Sequence, residues 1–397
     1  MKFKKITYLF INAFFYFSDF FLLVIALLIN VYKFKKFYLK NLTIVTATDE
    51  IFYNSLIQLL NNIRYFESKI KIIVYDIGLT KIQELELLNN FPQIIYKEFI
   101  FENYPDFISI RDEHSRIGNY AWKSIILNNE TKVNHDLLIW FDSANLISKK
   151  LIRLRIVLSA FGFYSPYSTG KLSDWTHFKT SDFFMLEKKI LNKRNLTGGI
   201  VGVNCNNILS KNLISDWEFY CGIKECIAPF GSNRDNHRQD QTILSILKHT
   251  KYRKLISPKM KNNFGIKVNQ NPDKKIYLTD SSTPYLKELK KEILKVNFRQ
   301  TVNSIHQAKF IWIMNSDDYK VIKRNYLNSK YLIVSIFKDD KINLKNLNKI
   351  KKASRKEVYL FVHKNNKEVI PKSVLEDYII KKFSDEKTLI SLFLELI

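Results

Sequence analysis

Apolar positions in the first third of the chain follow two alternating patterns. Leu42–Ala47, Ile70–Tyr75, Ile94–Phe99 and Leu137–Phe141 are short runs rich in Ile, Val and aromatic residues, which predicts buried strands. Between them, residues 53–66, 79–91 and 119–129 carry apolar residues at helical spacing. Strands alternating with helices predict a mostly parallel sheet covered by helices. Ligands on such sheets gather beyond the carboxyl ends of the strands. The loops TATDE (46–50), DIGL (76–79) and DSAN (142–145) are therefore the first places to look for chemistry.

The pattern changes twice more. Seven of the ten glycines and all three cysteines lie between Gly162 and Gly231, a loop-rich stretch suited to binding a substrate. After Gly265 glycine is absent, and lysine-rich segments alternate with apolar runs at Ile276–Leu278, Phe310–Met314, Tyr331–Phe337 and Val358–Val362. Helices are expected to fill those gaps. This predicts a main α/β domain over residues 38–273 and a smaller C-terminal α/β accessory domain over 274–397.

Residues 6–32 carry a single charge, Asp19, between Lys2, Lys4 and Lys5 on one side and Lys33, Lys35 and Lys36 on the other. About 20 apolar residues suffice to span a bilayer. The expectation is a membrane-anchor segment over 1–37 that contacts the membrane through residues 6–32, crossing it once or lying on it. A carboxylate near the middle is costly there, and a packed pair of N-terminal helices is the plain structural alternative.

Composition narrows the classes. At 46% hydrophobic and 14% aromatic the chain has enough apolar side chain for a large core. Its net charge of +25 comes from lysines spread along the chain with no compact arginine-rich stretch, so no nucleic-acid partner is expected. A basic surface favours an anionic membrane face or a phosphorylated substrate. Cys205, Cys221 and Cys226 form neither a disulfide framework nor paired CxxC motifs, and are expected to be reduced.

Several short stretches carry candidate chemistry. Thr46, Thr48 and Asp49 place hydroxyls and a carboxylate just before a helix, where they serve either a phosphate-bearing ligand or an N-cap. Asp76 precedes Gly78 in a sharp turn. NYAWKSIIL (119–127) puts Trp122 and Lys123 at a helix start, with Lys123 a candidate to neutralise a diphosphate. LLIWFDSAN (137–145) carries Asp142 out to a strand end, where a hard divalent cation takes carboxylate oxygens. LTGGIVGVN (196–204) places Gly198 and Gly199 before a strand, allowing close approach of a sugar. NRDNHRQDQTIL (233–244) packs Arg234, Asp235, His237, Arg238 and Asp240 ahead of an amphipathic helix. Trp175 and His177 in SDWTHF are candidate acceptor or substrate contacts.

Taken in order, VTATDEIFY, IIVYDIGL, NYAWKSIIL, IWFDSAN, WTH, TGGIVGVN and HRQDQTIL resemble the nucleotide-diphospho-sugar transferase (GT-A) fold over about residues 42–250. They look most like an uncharacterised glycosyltransferase-like family, catalogued as a domain of unknown function and distantly similar to glycosyltransferase family 8. The resemblance implies a GT-A-like, Rossmann-like mixed sheet flanked by helices. It implies a glycosyltransferase (hexosyltransferase-like), with retention of configuration preferred, moving a sugar from a nucleotide-diphosphate donor to a glycan, lipid or surface-polymer acceptor.

By position it implies Thr46, Thr48, Asp49, Asp76, Lys123, Asp142, Gly198, Gly199 and Arg238 at the donor, and Asp240 with Gln241 at the reacting centre. It implies Mn²⁺ or Mg²⁺ on Asp142, with His237 a further candidate ligand. Ala144 departs from the pattern, because it stands where the motif has its second carboxylate. The alternative is a catalytically inactive, membrane-attached protein that binds a nucleotide sugar or glycan. The expected location is a membrane with the catalytic part on the cytoplasmic face. A Golgi-type lumen is the alternative, where Asn41, Asn129 and Asn195 begin N-x-S/T sequons.

Overall fold

The structure, a computed structural model, describes residues 21–32, 39–112, 117–257 and 263–270. Beyond them it describes 276–278, 310–313, 331–336, 358–365, 378–385 and 387–389, with Leu347 and Leu392. In chain order the helices are α1 (residues 21–32), α2 (Tyr53–Phe66), α3 (Lys81–Asn90), α4 (Ala121–Thr131), α5 (Ile152–Phe161), the short α6 (Leu172–Trp175), α7 (Phe178–Phe183) and α8 (Lys188–Leu191), then α9 (Ile208–Cys221), α10 (Lys224–Ile227) and α11 (Gln239–His249). The strands are β1 (Leu42–Thr48), β2 (Lys71–Asp76), β3 (Ile95–Glu98), β4 (Leu137–Phe141), β5 (Leu146–Ile147), β6 (Phe163–Tyr164), β7 (Tyr167–Lys171), β8 (Arg194–Leu196), β9 (Ile200–Asn204), β10 (Ile266–Lys267), β11 (Ile276–Leu278), β12 (Phe310–Ile313), β13 (Tyr331–Ile336), β14 (Val358–His363) and β15 (Ile379–Phe383).

The chain divides into two compact units. The first draws on the described residues within 1–53, 69–143 and 150–266, and the second on those within 54–68, 144–149 and 267–397. The second unit therefore takes in most of α2 together with the C-terminal strands.

In the first unit six strands form one mixed sheet in the order β3-β2-β1-β4-β9-β6. β3, β2, β1 and β4 run parallel, while β9 is antiparallel to both β4 and β6. β1 and β4 are buried at every position, as expected of strands covered on both faces. Leu138, Trp140, Val201 and Val203 pack with α4, α9 and α11 in one core. The other face meets α5, where Leu158 packs against Gly202 so closely that an added Cβ would lie 3.3 Å from it. In the second unit β11-β12-β13-β14-β15 form a parallel sheet. β15 lies where the sequence pattern predicts helix. Its IIKKF run leaves Lys381 and Lys382 exposed, which is tolerable on an edge strand and masks the strand signal.

The expectation of a membrane-crossing segment is corrected. Among the described residues no helix is long and apolar enough to cross a membrane. Where the apolar run is described, α1 packs as a helix of the first unit. It buries Ala26 and Asn30, and the Asn30 amide donates to the Ile156 carbonyl of α5 at 3.0 Å. Residues 1–20 and 33–38, with Asp19 and the flanking lysines, lie outside the described residues. The Asn195 sequon is closed by folding, because that side chain is fully buried.

Candidate active site at the carboxyl edge of the sheet

Asp142 leaves the carboxyl end of β4. Trp140, two residues earlier and so on the same face, donates its indole N–H to Asp142 Oδ1 at 2.7 Å. Because β9 runs antiparallel to β4, the glycine pair just ahead of it returns to this same edge. The Asp142 N–H donates to the Gly199 carbonyl at 3.1 Å. Helices that cover a parallel sheet run against the strands, so their N-termini also reach this edge. The first turn of α4 brings Lys123, and that of α11 brings Asp240. Trp217 of α9 fixes the latter turn by donating to the Asp240 carbonyl at 2.8 Å.

Three oxygens from three segments converge on the Lys123 ammonium. Asp142 Oδ1 lies at 2.9 Å, the Gly198 carbonyl at 3.2 Å and Asp240 Oδ2 at 3.4 Å. The Lys123 and Asp240 side chains are 4% and 5% exposed, whereas Asp142 is 42% exposed and forms the open side of the group. Burial alone would lower the Lys123 pKa, but the charges of Asp142 and Asp240 more than offset it and raise it, so the amine stays charged. Burial pushes the Asp240 carboxyl up to about 6 against the pull of Lys123, with the neighbouring Asp142 charge adding to the rise. Asp240 Oδ2 has the ammonium at ion-pair distance yet makes no hydrogen bond, an unsatisfied buried acceptor.

The glycine pair shapes the space beside these groups. A Cβ on Gly198 would come 2.8 Å from Asp240 Oδ2, and one on Gly199 would come 2.9 Å from Asp142 Oδ2. Gln241 accepts from the Gly198 N–H at 3.4 Å and donates to Ser168 Oγ at 3.2 Å. Two arginines stack on aromatic rings nearby. Arg238 lies 3.9 Å from the centre of the Trp175 ring. Arg234 donates to the Tyr120 hydroxyl at 3.0 Å, and Lys123 lies 5.4 Å from that same ring. Asn119 and Tyr120 hold left-handed backbone (φ 51° and 65°), as does Gln239 at φ 38°. Such strain in bulky side chains is kept only where surroundings enforce it, and here it flanks Lys123 and Asp240.

Other candidates from the sequence form separate groups. Asp49 Oδ1 accepts from the N–H groups of Ile51 and Phe52, both at 3.1 Å, and its Oδ2 pairs with Arg111 at 3.0 Å. Thr48 Oγ1 donates to the Asp49 carbonyl, and Thr46 Oγ1 is buried without a hydrogen-bond partner. Asp76 turns inward on its own loop, accepting from Gly78 and Leu79 N–H at 2.7 Å each and from the Tyr96 hydroxyl at 2.6 Å. His177 is buried and caps α7 through its ring nitrogen. Trp175, by contrast, stacks on Arg238, two residues ahead of Asp240.

The residues present do not make a divalent-cation site. Asp142 Oδ1 is taken by Trp140 and Lys123, and Ala144 offers no side-chain oxygen. His237 is closed on both nitrogens: Nε2 sits 2.9 Å from the Ile227 carbonyl, and Nδ1 accepts from the His177 N–H at 3.3 Å. Burial lowers its pKa to about 4, so it stays a neutral structural ring. Among the described residues no group of three or more His, Cys, Asp or Glu is arranged to hold a metal ion. The expectation of Mn²⁺ or Mg²⁺ on Asp142 and His237 does not fit this geometry.

A family model described as a protein of unknown function (DUF1647) matches residues 26–128. Among curated proteins none matches. Solved glycosyltransferases of low identity are among the structures that match. The bifunctional glycosyltransferase WbbM is 14% identical over 53% of this chain, with a TM-score of 0.35, and this chain spans 38% of its length. The galactosyltransferase LgtC, solved with donor and acceptor sugar analogues, is 13% identical over 66% of this chain and 98% of its own, with a TM-score of 0.41. The glycosyltransferase GlyE of Streptococcus pneumoniae in its apo form is 9% identical over 89% of this chain and 98% of its own, with a TM-score of 0.36.

Sequence reasoning missed Trp140, Tyr120 and Arg111. Trp140 was within reach, since its spacing from Asp142 puts both on one face of a strand. Tyr120 stood in a stretch already singled out, but nothing local marks its left-handed backbone. Arg111 sits in a loop with no periodic or motif signal.

Proposed function

We propose that this chain is a glycosyltransferase that moves a sugar from a nucleotide-diphosphate donor to a glycan, lipid or surface-polymer acceptor. The observation that carries the reading is the buried Lys123 ammonium shared by Asp142 and Asp240, set against the Gly198–Gly199 pair at the carboxyl edge of the sheet. The glycines leave room for a sugar, and Asp240 Oδ2 offers it an unsatisfied acceptor. The order of sequence motifs supports the same reading and alone carries the relationship to glycosyltransferase family 8. Asp49 with Arg111, and Thr48 beside it, are assigned to the nucleoside end of the donor. Trp175 with Arg238 is assigned to the acceptor side. A catalytically inactive binding protein is less favoured, because a buried carboxylate with a raised pKa set beside a glycine pair is the arrangement of a reacting group.

In this reaction the acceptor hydroxyl oxygen bonds to the anomeric carbon. The bond from that carbon to the diphosphate oxygen breaks, and its electron pair stays on that oxygen. The hydroxyl proton passes to Asp240, whose pKa near 6 suits a base working near neutral pH. Incubating the full-length protein with a panel of nucleotide sugars is expected to release nucleoside diphosphate from one donor. Asp142→Asn is expected to abolish that release while leaving the fold intact. Undiminished release from a folded Asp142→Asn protein would show that the Asp142 carboxylate has no part in transfer.

A further inference from the structure

Glycosyl transfer from a diphosphate needs positive charge at the leaving group, and a divalent cation does not fit the residues at this site. Resting on the transferase reading, we propose that Lys123 is the resident cation of the donor site and that donor binding is independent of metal.

The Lys123 ammonium already fills the place between the strand-end carboxylate and the late aspartate. Asp142 Oδ1 and the Gly198 carbonyl take two of its N–H groups, while Asp240 Oδ2 stands at 3.4 Å as an ion-pair partner without a hydrogen bond. Oxygens converging in this way are what a hard cation takes, and in this protein the cation is covalently tethered. A divalent ion set between Asp142 Oδ1 and Asp240 Oδ2 would have to lie against the ammonium, with like charges in contact. The two positions that would have completed a metal shell are spent, 144 on alanine and His237 on backbone groups. The Tyr120 and Trp140 rings flank the ammonium at 5.4 and 5.7 Å and keep it desolvated, which strengthens its field. Arg234, on the same Tyr120 ring as Lys123, and Arg238, on Trp175, are the further positive charges that this proposal gives the diphosphate. As the bond to the anomeric carbon breaks, the charge gathering on the diphosphate oxygen is balanced by these three side chains.

The test is the thermal shift of the full-length protein with UDP, GDP, UDP-glucose, UDP-galactose, UDP-N-acetylglucosamine and GDP-mannose, in EDTA and in Mn²⁺. The expected result is the same shift with one nucleotide family in both media. Lys123→Met is expected to weaken that binding by tenfold or more, about 1.4 kcal/mol at the least, through the loss of a charge-assisted contact. A shift that appears only with Mn²⁺ overturns the proposal while leaving the transferase reading in place. A folded Lys123→Met protein that binds as tightly as the parent in EDTA does the same. No shift from any probe in either medium overturns both. If Lys123→Met does not fold, the EDTA–Mn²⁺ comparison on the unaltered protein decides the matter by itself.

Discussion

Replacing Asp240 by Asn is expected to make the protein more stable and inactive at once. Asp240 is buried, and its pKa is raised from 3.8 to about 6 because burial penalises its charge more than Lys123 relieves it. A carboxylate whose folded pKa is raised holds its proton longer in the native state than in the unfolded one. Stability therefore falls as pH rises between those two values, and the cost is complete above about 6. That difference corresponds to about 3 kcal/mol at pH 8. Asn has the same shape and no charge to desolvate. Lys123 meanwhile keeps its nearer carboxylate, Asp142 at 2.9 Å, and the Gly198 carbonyl. The gain from Asp240→Asn should be largest at pH 8, shrink through pH 6 and vanish near pH 4. Urea denaturation followed by tryptophan fluorescence is the assay. Four of the five tryptophans, Trp122, Trp140, Trp175 and Trp217, belong to the first unit and Trp312 to the second, so most of the signal reports the unit that holds Asp240. A variant less stable than the parent at pH 8, or a difference that does not change with pH, would refute the account of Asp240 as a desolvated carboxylate.

Two further substitutions separate packing from chemistry. Gly198→Ala puts a Cβ 2.8 Å from Asp240 Oδ2 and must push the carboxylate off Lys123. It should cost about 1–2 kcal/mol of stability and a larger fraction of kcat/KM, read by steady-state kinetics beside a denaturation curve. Proportionate loss of both would argue against a role at the reacting centre. His237→Ala strands the Ile227 carbonyl and the His177 N–H in the interior and should cost about 2–4 kcal/mol. Its response to Mn²⁺ should match that of the parent protein. Selective loss of a Mn²⁺ effect at full stability would restore His237 as a ligand.

Sequence alone determined the local elements, because burial of apolar side chains leaves its period in the chain. The bounds of α2 and β4 fall where the pattern places them, and the strand ends at Thr48, Asp76 and Asp142 lie at one edge as a parallel sheet requires. Signals fail where the surroundings overrule local preference. The apolar N-terminal run reads as a membrane segment, yet its described part buries Asn30 against α5. The edge strand β15 hides behind its lysines. His237 looks like a ligand from its neighbours in sequence, yet both its ring nitrogens meet backbone groups.

Only the tertiary structure decided what Lys123 does. Its partners lie on β4, ahead of β9 and on α11, and the reversal of β9 against β4 is what returns the glycines to Asp142. The charge state of Asp240 was likewise invisible in the chain, since it follows from desolvation by residues distant in sequence. Periodicity records which side of an element is buried. It does not record which buried groups meet, and the chemistry of this site lies in that meeting.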